Sequence, residues 1–230
     1  MDEADTRERP AVLLGAGVLS VAGAGVLQAR GSAAFQPYFG AVNPILATTS
    51  VVVLGAAALA FLHRQWSFRL YVPGVARKGL AITVTAAIAL AAPVVLVDLF
   101  GGFPRGINVE APESLLFYPV IALVAVSVFH AVPLAILLWS TGPLQSRLGR
   151  ERTLWFCMIL AACIEPTFQV VRAPPESPVW ATAYVSAHVL IFNVLALYIF
   201  KRYDFLATYF FRALYYLFWH VLWGFIRLGG

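Results

Sequence analysis

The feature that most limits how this chain can fold is a regular alternation of long apolar runs with short polar stretches. A helix needs about 20 residues to cross about 30 Å of hydrocarbon at 1.5 Å per residue. The apolar runs lie at 11–29, 45–62, 80–100, 115–139, 153–171, 179–200 and 205–228. The alternation therefore predicts an all-α, polytopic transmembrane helical bundle with about seven spanning helices.

The balance of residue types places most of the chain in lipid. Hydrophobic residues make up 61% of its 230 residues and charged residues only 12%, whereas about a quarter of a soluble domain is charged. The net charge of +5 comes from basic residues in short loops beside apolar runs, which indicates contact with membrane lipids and no nucleic-acid partner. We expect one transmembrane domain over residues 1–230. Residues 1–10 mix acidic with basic side chains, unlike the leader of a secretory signal, and are expected to form a cytoplasmic tail.

The direction of the spans follows from the positions of the basic residues, because cytoplasmic loops carry an excess of lysine and arginine. If the chain starts in the cytoplasm, eleven basic residues lie inside and four outside, with one more within the last span. The inside residues are Arg7, Arg9, Arg64, Arg69, Arg77, Lys78, Arg147, Arg150, Arg152, Lys201 and Arg202, and the outside residues are Arg30, Arg105, Arg172 and Arg227. This asymmetry predicts an N-in, C-out topology.

Ionisable side chains inside the predicted spans are the candidates for function, because a charge at mid-helix costs at least about 2.5 kcal/mol. Glu165, His188 and His220 lie on three consecutive spans, each roughly 9–14 Å below the outer boundary by the helical rise. His130 lies deeper, about 22 Å from the outer end of its span. One carboxylate and two imidazoles at one level are therefore expected to converge in a single polar pocket.

Each of these spans carries further polar residues on the same helix face. Gln169 and Arg172 follow Glu165 at four and seven residues, and Tyr184 precedes His188 by four. Arg212 lies eight residues before His220, and it is expected to extend its guanidinium to the cytoplasmic surface.

Three short segments carry these residues in a recognisable order. Residues 164–169 read Ile-Glu-Pro-Thr-Phe-Gln, residues 184–188 Tyr-Val-Ser-Ala-His, and residues 220–224 His-Val-Leu-Trp-Gly. They resemble the motifs of the CPBP family of intramembrane proteases (CAAX-processing and bacteriocin-processing enzymes, also called Abi proteins), which are Glu-Glu-x-x-x-Arg, Phe-x-x-x-His, and His-x-x-x-Asn or Asp. The resemblance covers about residues 115–228.

The resemblance implies a peptidase that hydrolyses a membrane-anchored peptide or protein. Glu165 would act as general base on a water, His188 would orient that water or share its proton, and His220 would stabilise the oxyanion. Gln169 and Arg172 would steady Glu165. An integral, multi-pass protein of a bacterial or archaeal cytoplasmic membrane is expected.

The motifs also differ from the family pattern at four positions, which makes an inactive relative the other implication of the resemblance. Ile164 stands for the first Glu, Gln169 for the Arg, Tyr184 for the Phe, and Gly224 for the last amide or carboxylate. The first Glu is the residue to which the family's water activation is usually assigned.

Two other classes of function stay open from the sequence. No cofactor is predicted, but His188 and His220 could ligate a haem iron, and with Glu165 they could hold zinc. A non-enzymatic transporter, lipid-binding scaffold or immunity factor is also compatible with the proline-interrupted spans. A retinal protein is excluded because both lysines, Lys78 and Lys201, lie in loops.

Overall fold

The computed structural model describes residues 10–103, 107–173 and 177–229. Its helices, numbered here in chain order, are α1 (Pro10–Ala29), α2 (Gln36–Phe39), α3 (Pro44–Trp66), α4 (Pro73–Gly101), α5 (Ser114–Ser140), α6 (Gly142–Leu148), α7 (Arg150–Ala162), α8 (Ile164–Arg172), α9 (Val179–Arg202) and α10 (205–229). The described residues contain no strand, so the prediction of an all-α polytopic bundle is confirmed. The expected tail, residues 1–10, lies outside the described residues except for Pro10.

Two of the long helices begin at side chains that cap them. The Asn43 side chain accepts hydrogen bonds from the amides of Ile45 and Leu46, and Pro44 occupies the first helical position of α3. The Asp204 carboxylate accepts from the amide of Ala207 at 2.8 Å at the start of α10. These caps supply partners for backbone donors that a helix start leaves unpaired.

Six helical stretches are long and apolar enough to cross a membrane, and the chain is an integral membrane protein. They are Pro10–Ala29, Pro44–Trp66, Arg77–Gly101, Ser114–Ser140, Arg150–Arg172 and Val179–Arg202. The expected seventh span, α10, is not among these six. It has the length of a span but includes Arg212 and His220, which lower its hydropathy.

Contacts at both ends of α10 show that it nevertheless covers the same thickness as α4. At the start of both helices, the amide of Val72 donates to the Asp204 carboxylate at 3.2 Å. Near the end of both helices, the indole of Trp223 donates to the Asp98 carboxylate at 2.7 Å. In the described residues, α10 therefore runs parallel to α4, a helix that meets the criteria for a span.

Close packing of α1 against its neighbours depends on residues without side chains. A Cβ at Gly17 would lie 2.9 Å from Val52 of α3, and a Cβ at Gly23 would lie 2.9 Å from Val120 of α5. Small residues of this kind let membrane helices approach closely. They fix α1 against the side of the bundle formed by α3 and α5.

The two halves of the bundle differ in how tightly they are filled. Apolar side chains of α3, α5, α7, α9 and α10 fill the half near the α9–α10 turn, and these include Leu62, Leu138, Met158, Phe200 and Phe205. The opposite half, toward the loops that follow α1 and α4, contains the main cavity of the described residues. The fold thus provides a tightly packed base next to a half that contains the cavity.

Two of the long helices contain a π-helical segment, and a histidine lies in each. Ser127–Ala131 interrupts α5 and includes His130, and Leu217–Leu222 interrupts α10 and includes His220. Pro133 lacks the N–H that would otherwise continue the α-helical pattern after the first segment. Such segments occur frequently at functional sites because they turn side chains away from the regular helical positions.

Candidate functional site

The site begins at a break in the fifth membrane crossing, between α7 and α8. Pro166 has no N–H to donate to the carbonyl of Ala162, four residues earlier. The side-chain amide of Asn193, on α9, donates to that carbonyl instead, at 3.2 Å. The break is therefore satisfied by a side chain from the neighbouring helix, and it presents Glu165, the second residue of α8, to the bundle interior.

Glu165 and Arg212 form a two-point ion pair. Arg212 Nη1 donates to one carboxylate oxygen of Glu165 at 2.8 Å, and Nη2 donates to the other at 2.6 Å. Both residues are buried, with exposed fractions of 5% and 1%. The expectation that Arg212 reaches the cytoplasmic surface is therefore wrong, because a carboxylate on an adjacent helix offers the guanidinium a partner inside the bundle.

Three more polar side chains complete the network around the ion pair. The Asn193 carbonyl oxygen accepts from Arg212 Nη2 at 3.0 Å and from His130 Nε2 at 3.0 Å. The Tyr216 hydroxyl accepts from Arg212 Nη1 at 3.1 Å. Asn193 thus uses its amide to hold the helix break and its carbonyl to join Arg212 to His130. His130, which the sequence placed deeper than Glu165, also belongs to this network.

Seven of the polar residues singled out from the sequence line one cavity of about 640 Å³, and His130 is not among its described lining residues. The seven are Glu165, Gln169, Arg172, Tyr184, His188, Arg212 and His220. Most of the remaining wall is apolar or aromatic, with Val94, Ile121, Val124, Val189 and Trp219 among its members. The structure therefore brings these residues into one chamber, while their roles in any reaction stay a prediction.

The carboxylate and the two imidazoles line this chamber at different depths, so the expectation that they lie at one level is wrong. Glu165 pairs with Arg212, which precedes His220 by eight residues on α10, or about 12 Å of helical rise. Tyr216 lies between them, since its hydroxyl accepts from Arg212 and its ring centroid is 5.3 Å from that of His220. The helix break moves Glu165 toward the base of the chamber.

His188 has aromatic neighbours, and its hydrogen bond among the described residues goes to Tyr215 and not to the ion pair. Its Nε2 lies 3.2 Å from the Tyr215 hydroxyl, within hydrogen-bond distance. Its ring stacks on that of Tyr184, with centroids 5.7 Å apart. The Tyr184 hydroxyl is buried without a partner in the described part of the chain, so it can still bond to a ligand.

His220 forms a hydrogen bond with the side-chain amide of a loop residue, Asn108. Its own helix has glycine at position 224, where the family motif has Asn or Asp. Its Nδ1 donates to the side-chain oxygen (Oδ1) of Asn108 at 2.8 Å, and its ring stacks on Tyr118 with centroids 4.7 Å apart. A Cβ at Gly224 would lie 3.2 Å from Asn108. Glycine at position 224, where the family motif has Asn or Asp, thus leaves the space that the Asn108 side chain occupies.

The geometry does not fit the zinc site considered from the sequence. No group of three His, Cys, Asp or Glu side chains that could hold a metal ion occurs in residues 10–103, 107–173 and 177–229. Glu165 instead has a guanidinium on both oxygens. His188 and His220 both line the cavity, and ligation of haem by this pair stays a prediction.

Comparison of the chain with protein-family models, with curated proteins and with solved structures finds no match. The resemblance to CPBP proteases therefore rests on the three short segments alone.

Several residues of the site were not among those predicted from the sequence. Asn193, Tyr216, Tyr215, Asn108 and Tyr118 each bond to a predicted residue or stack on one. Asn193 offered a signal, because a side-chain amide within an apolar span needs a polar partner. Asn108 offered none, since it lies in a loop.

Proposed function

We propose that the protein binds one amphiphilic molecule within its membrane-embedded cavity and does not hydrolyse it. In this proposal the chain is a non-catalytic relative of the intramembrane peptidases that its motifs resemble. It acts as a receptor or carrier for a small amphiphile, one of the non-enzymatic classes that its sequence leaves open.

The proposal is supported most strongly by the hydrogen bonds that Arg212 already donates to both carboxylate oxygens of Glu165. A general base must lie within hydrogen-bond reach of a water and be able to take its proton. Both oxygens of Glu165 already accept from Arg212, and in the described residues no imidazole bonds to this carboxylate. A buried, two-point pair of this kind is a neutral structural unit, because each charge satisfies the other.

The shape and lining of the cavity support ligand binding. Its volume of about 640 Å³ falls within the range of about 300–1,000 Å³ that is usual for small-molecule sites. Such sites combine apolar and aromatic walls with a few fixed polar groups. Here Trp219 and Phe103 supply aromatic wall, while the Tyr184 hydroxyl is without a protein partner in the described residues.

Native mass spectrometry of the purified protein in non-ionic detergent tests the proposal, with dodecanol as the probe. We expect one saturable adduct that is released unchanged. Ala125 is buried and lines the cavity, so Ala125→Trp should fill the chamber and remove the adduct. Ile191 is 58% exposed on the outer surface of α9, so Ile191→Trp should not. Equal binding by the two variants would assign the adduct to the lipid-facing surface and overturn the proposal.

An intramembrane peptidase is the second candidate, favoured by the presence of Glu165, His188 and His220 in one cavity. In that case a membrane-anchored peptide would enter the chamber, and His220 would face the reacting carbonyl. Cells producing the protein or its His220→Ala variant can be compared by mass spectrometry of the new termini of membrane proteins. Fragments that require His220 would support the peptidase and contradict the non-catalytic proposal.

We further propose a bacterial or archaeal cytoplasmic membrane as the location, with the N-terminus inside and the C-terminus outside. The excess of basic residues beside the α9–α10 turn supports this orientation. The cavity would then open toward the outer leaflet. Labelling from outside of a single cysteine introduced at Gly40 tests the orientation in cells, with Cys157 and Cys163 replaced by serine. Protection of that cysteine would contradict it.

A further inference from the structure

We infer that the ligand of the cavity is an anionic amphiphile whose head group binds Arg172. This inference rests on the proposed function, because it specifies the chemistry of the molecule that the chamber holds. The shared chemistry is a carboxylate or phosphate head on an apolar tail.

The charge of the cavity wall favours an anionic ligand. Among its described lining residues, the charged side chains are Glu165, Arg172 and Arg212, with both histidines counted as neutral. Glu165 and Arg212 cancel each other in their ion pair. One positive charge is left, that of Arg172, and a ligand with one negative charge would neutralise the wall.

The position and contacts of the Arg172 side chain leave it able to bind an anionic head group. It lies in the last turn of α8, near the open end of the cavity, and it is exposed. Its guanidinium lies over the face of the Phe168 ring, with 5.4 Å from the guanidinium carbon to the ring centroid. No carboxylate of the described residues forms an ion pair with it. All its N–H donors can therefore turn to a ligand, and a planar guanidinium binds carboxylate or phosphate with two parallel hydrogen bonds.

The tail of such a ligand would run along the apolar wall of the cavity. Arg172 and Glu165 are seven residues apart on α8, or about 10 Å along the helix. A head group at Arg172 would place an attached chain along the apolar wall of Val185 and Val189 toward the ion pair at the base. The Tyr184 hydroxyl, buried and unpartnered within the described residues, offers a hydrogen bond to an acceptor in the ligand.

The site should discriminate between amphiphiles by the charge of their head groups. Among the described lining residues, the carboxylate is that of Glu165 at the base, so a cationic head at the other end of the chamber would meet Arg172 unopposed. A hydrogen bond between charged partners is about twice as strong as a neutral one, and it adds to the apolar contact that all tails share. The site should therefore bind an anionic amphiphile about tenfold more tightly than an uncharged one.

Quenching of tryptophan fluorescence by bromine-labelled amphiphiles tests the inference in the full-length protein. The probes are brominated dodecanoate, dodecyl phosphate, dodecanol and dodecylamine. Trp219 is 3% exposed and lines the cavity, so saturable quenching that disappears in Trp219→Phe reports binding in the chamber. We expect the carboxylate or the phosphate to bind about tenfold more tightly than the alcohol, and the amine most weakly. The order of the two anions identifies the head group.

Arg172→Gln should reduce the affinity for the anions to about that for the alcohol, and persistent Trp219-dependent quenching by the alcohol would show that the variant is folded. Arg30 lies at the same end of the bundle but does not line the cavity, so Arg30→Gln should keep the preference. Equal affinity of the four probes in the unmodified protein would overturn the inference and leave the proposed function intact. Absence of saturable, Trp219-dependent quenching with every probe would overturn both.

Discussion

The side-chain amide of Asn193 donates a hydrogen bond of 3.2 Å to the carbonyl of Ala162, the carbonyl that Pro166 leaves without its helical donor. The other end of the same amide accepts from Arg212 and from His130. One residue therefore stabilises the break that places Glu165 and also holds the cation that pairs with Glu165. The Asn193 side chain therefore links the helix break to the buried ion pair.

Asn193→Ala should lower the free energy of unfolding by about 1–3 kcal/mol, because it leaves the Ala162 carbonyl, Arg212 and His130 each one partner short. Pro166→Ala restores an N–H that can reach the Ala162 carbonyl, so part of this loss should disappear in a Pro166→Ala background. Unfolding in detergent–denaturant mixtures of the four members of this double-mutant cycle measures the coupling. Strictly additive effects would show that Asn193 does not substitute for the missing helical bond.

Arg212→Met should destabilise the protein by about 3–5 kcal/mol, because it leaves the Glu165 carboxylate buried without a counter-ion. The double variant Glu165→Leu/Arg212→Met should recover most of that loss, since it removes both charges together. Thermal unfolding of the two variants and of Glu165→Leu measures the difference. A double variant as unstable as the sum of the single ones would indicate that Glu165 and Arg212 do not stabilise each other.

The spans could be predicted from the sequence because their signal is local. Apolar runs of membrane-crossing length gave boundaries close to those of α1, α3 and α5. The helical repeat also put Glu165, Gln169 and Arg172 on one face, and all three line the cavity. Span boundaries and helix faces, which depend on one helix at a time, could therefore be predicted from the sequence.

The partner of Glu165 could not be predicted in the same way. An arginine within a span can extend to the interface or pair with a buried carboxylate, and the choice for Arg212 depends on which helices are neighbours. The depth of Glu165 was misjudged because the count along α8 assumed an outer boundary at its end. In the structure, Glu165 lies at the level of Asn193, five residues deeper along α9 than His188. Asn108, which bonds to His220 from a loop, could be found only by folding the chain.

Gly224→Val should displace the Asn108 side chain, because even a Cβ at this position would lie 3.2 Å from it. The loop would lose its bond to His220, and we expect hydrogen exchange of the Val109 amide, which donates to the Tyr118 hydroxyl at 3.0 Å, to accelerate at least about tenfold, equivalent to about 1.4 kcal/mol. Gly15→Val is the matched control, since a Cβ at Gly15 has no neighbour within 4 Å. Equal exchange in both variants would contradict the role of Gly224.

Asp98 links the end of α4 to the end of α10, where its carboxylate accepts from the Trp223 indole at 2.7 Å and pairs with Arg227 at 3.1 Å. Asp98→Asn should cost about 1–3 kcal/mol, because it removes the charge that Arg227 faces in a buried position. Glu110→Gln, at an exposed loop residue, should change the free energy of unfolding by no more than about 0.5 kcal/mol. Chemical denaturation distinguishes the two, and equal stability of both variants would show that the ends of the helices are held by other contacts.

A structure determined by electron cryomicroscopy in lipid nanodiscs would show what the Glu165 carboxylate contacts. We expect both of its oxygens within about 3 Å of the Arg212 guanidinium, a hydrogen-bond distance, and elongated density in the chamber beside Trp219. A Glu165 carboxylate turned away from Arg212, holding a water against His188 or His220, would contradict the account and favour a hydrolase.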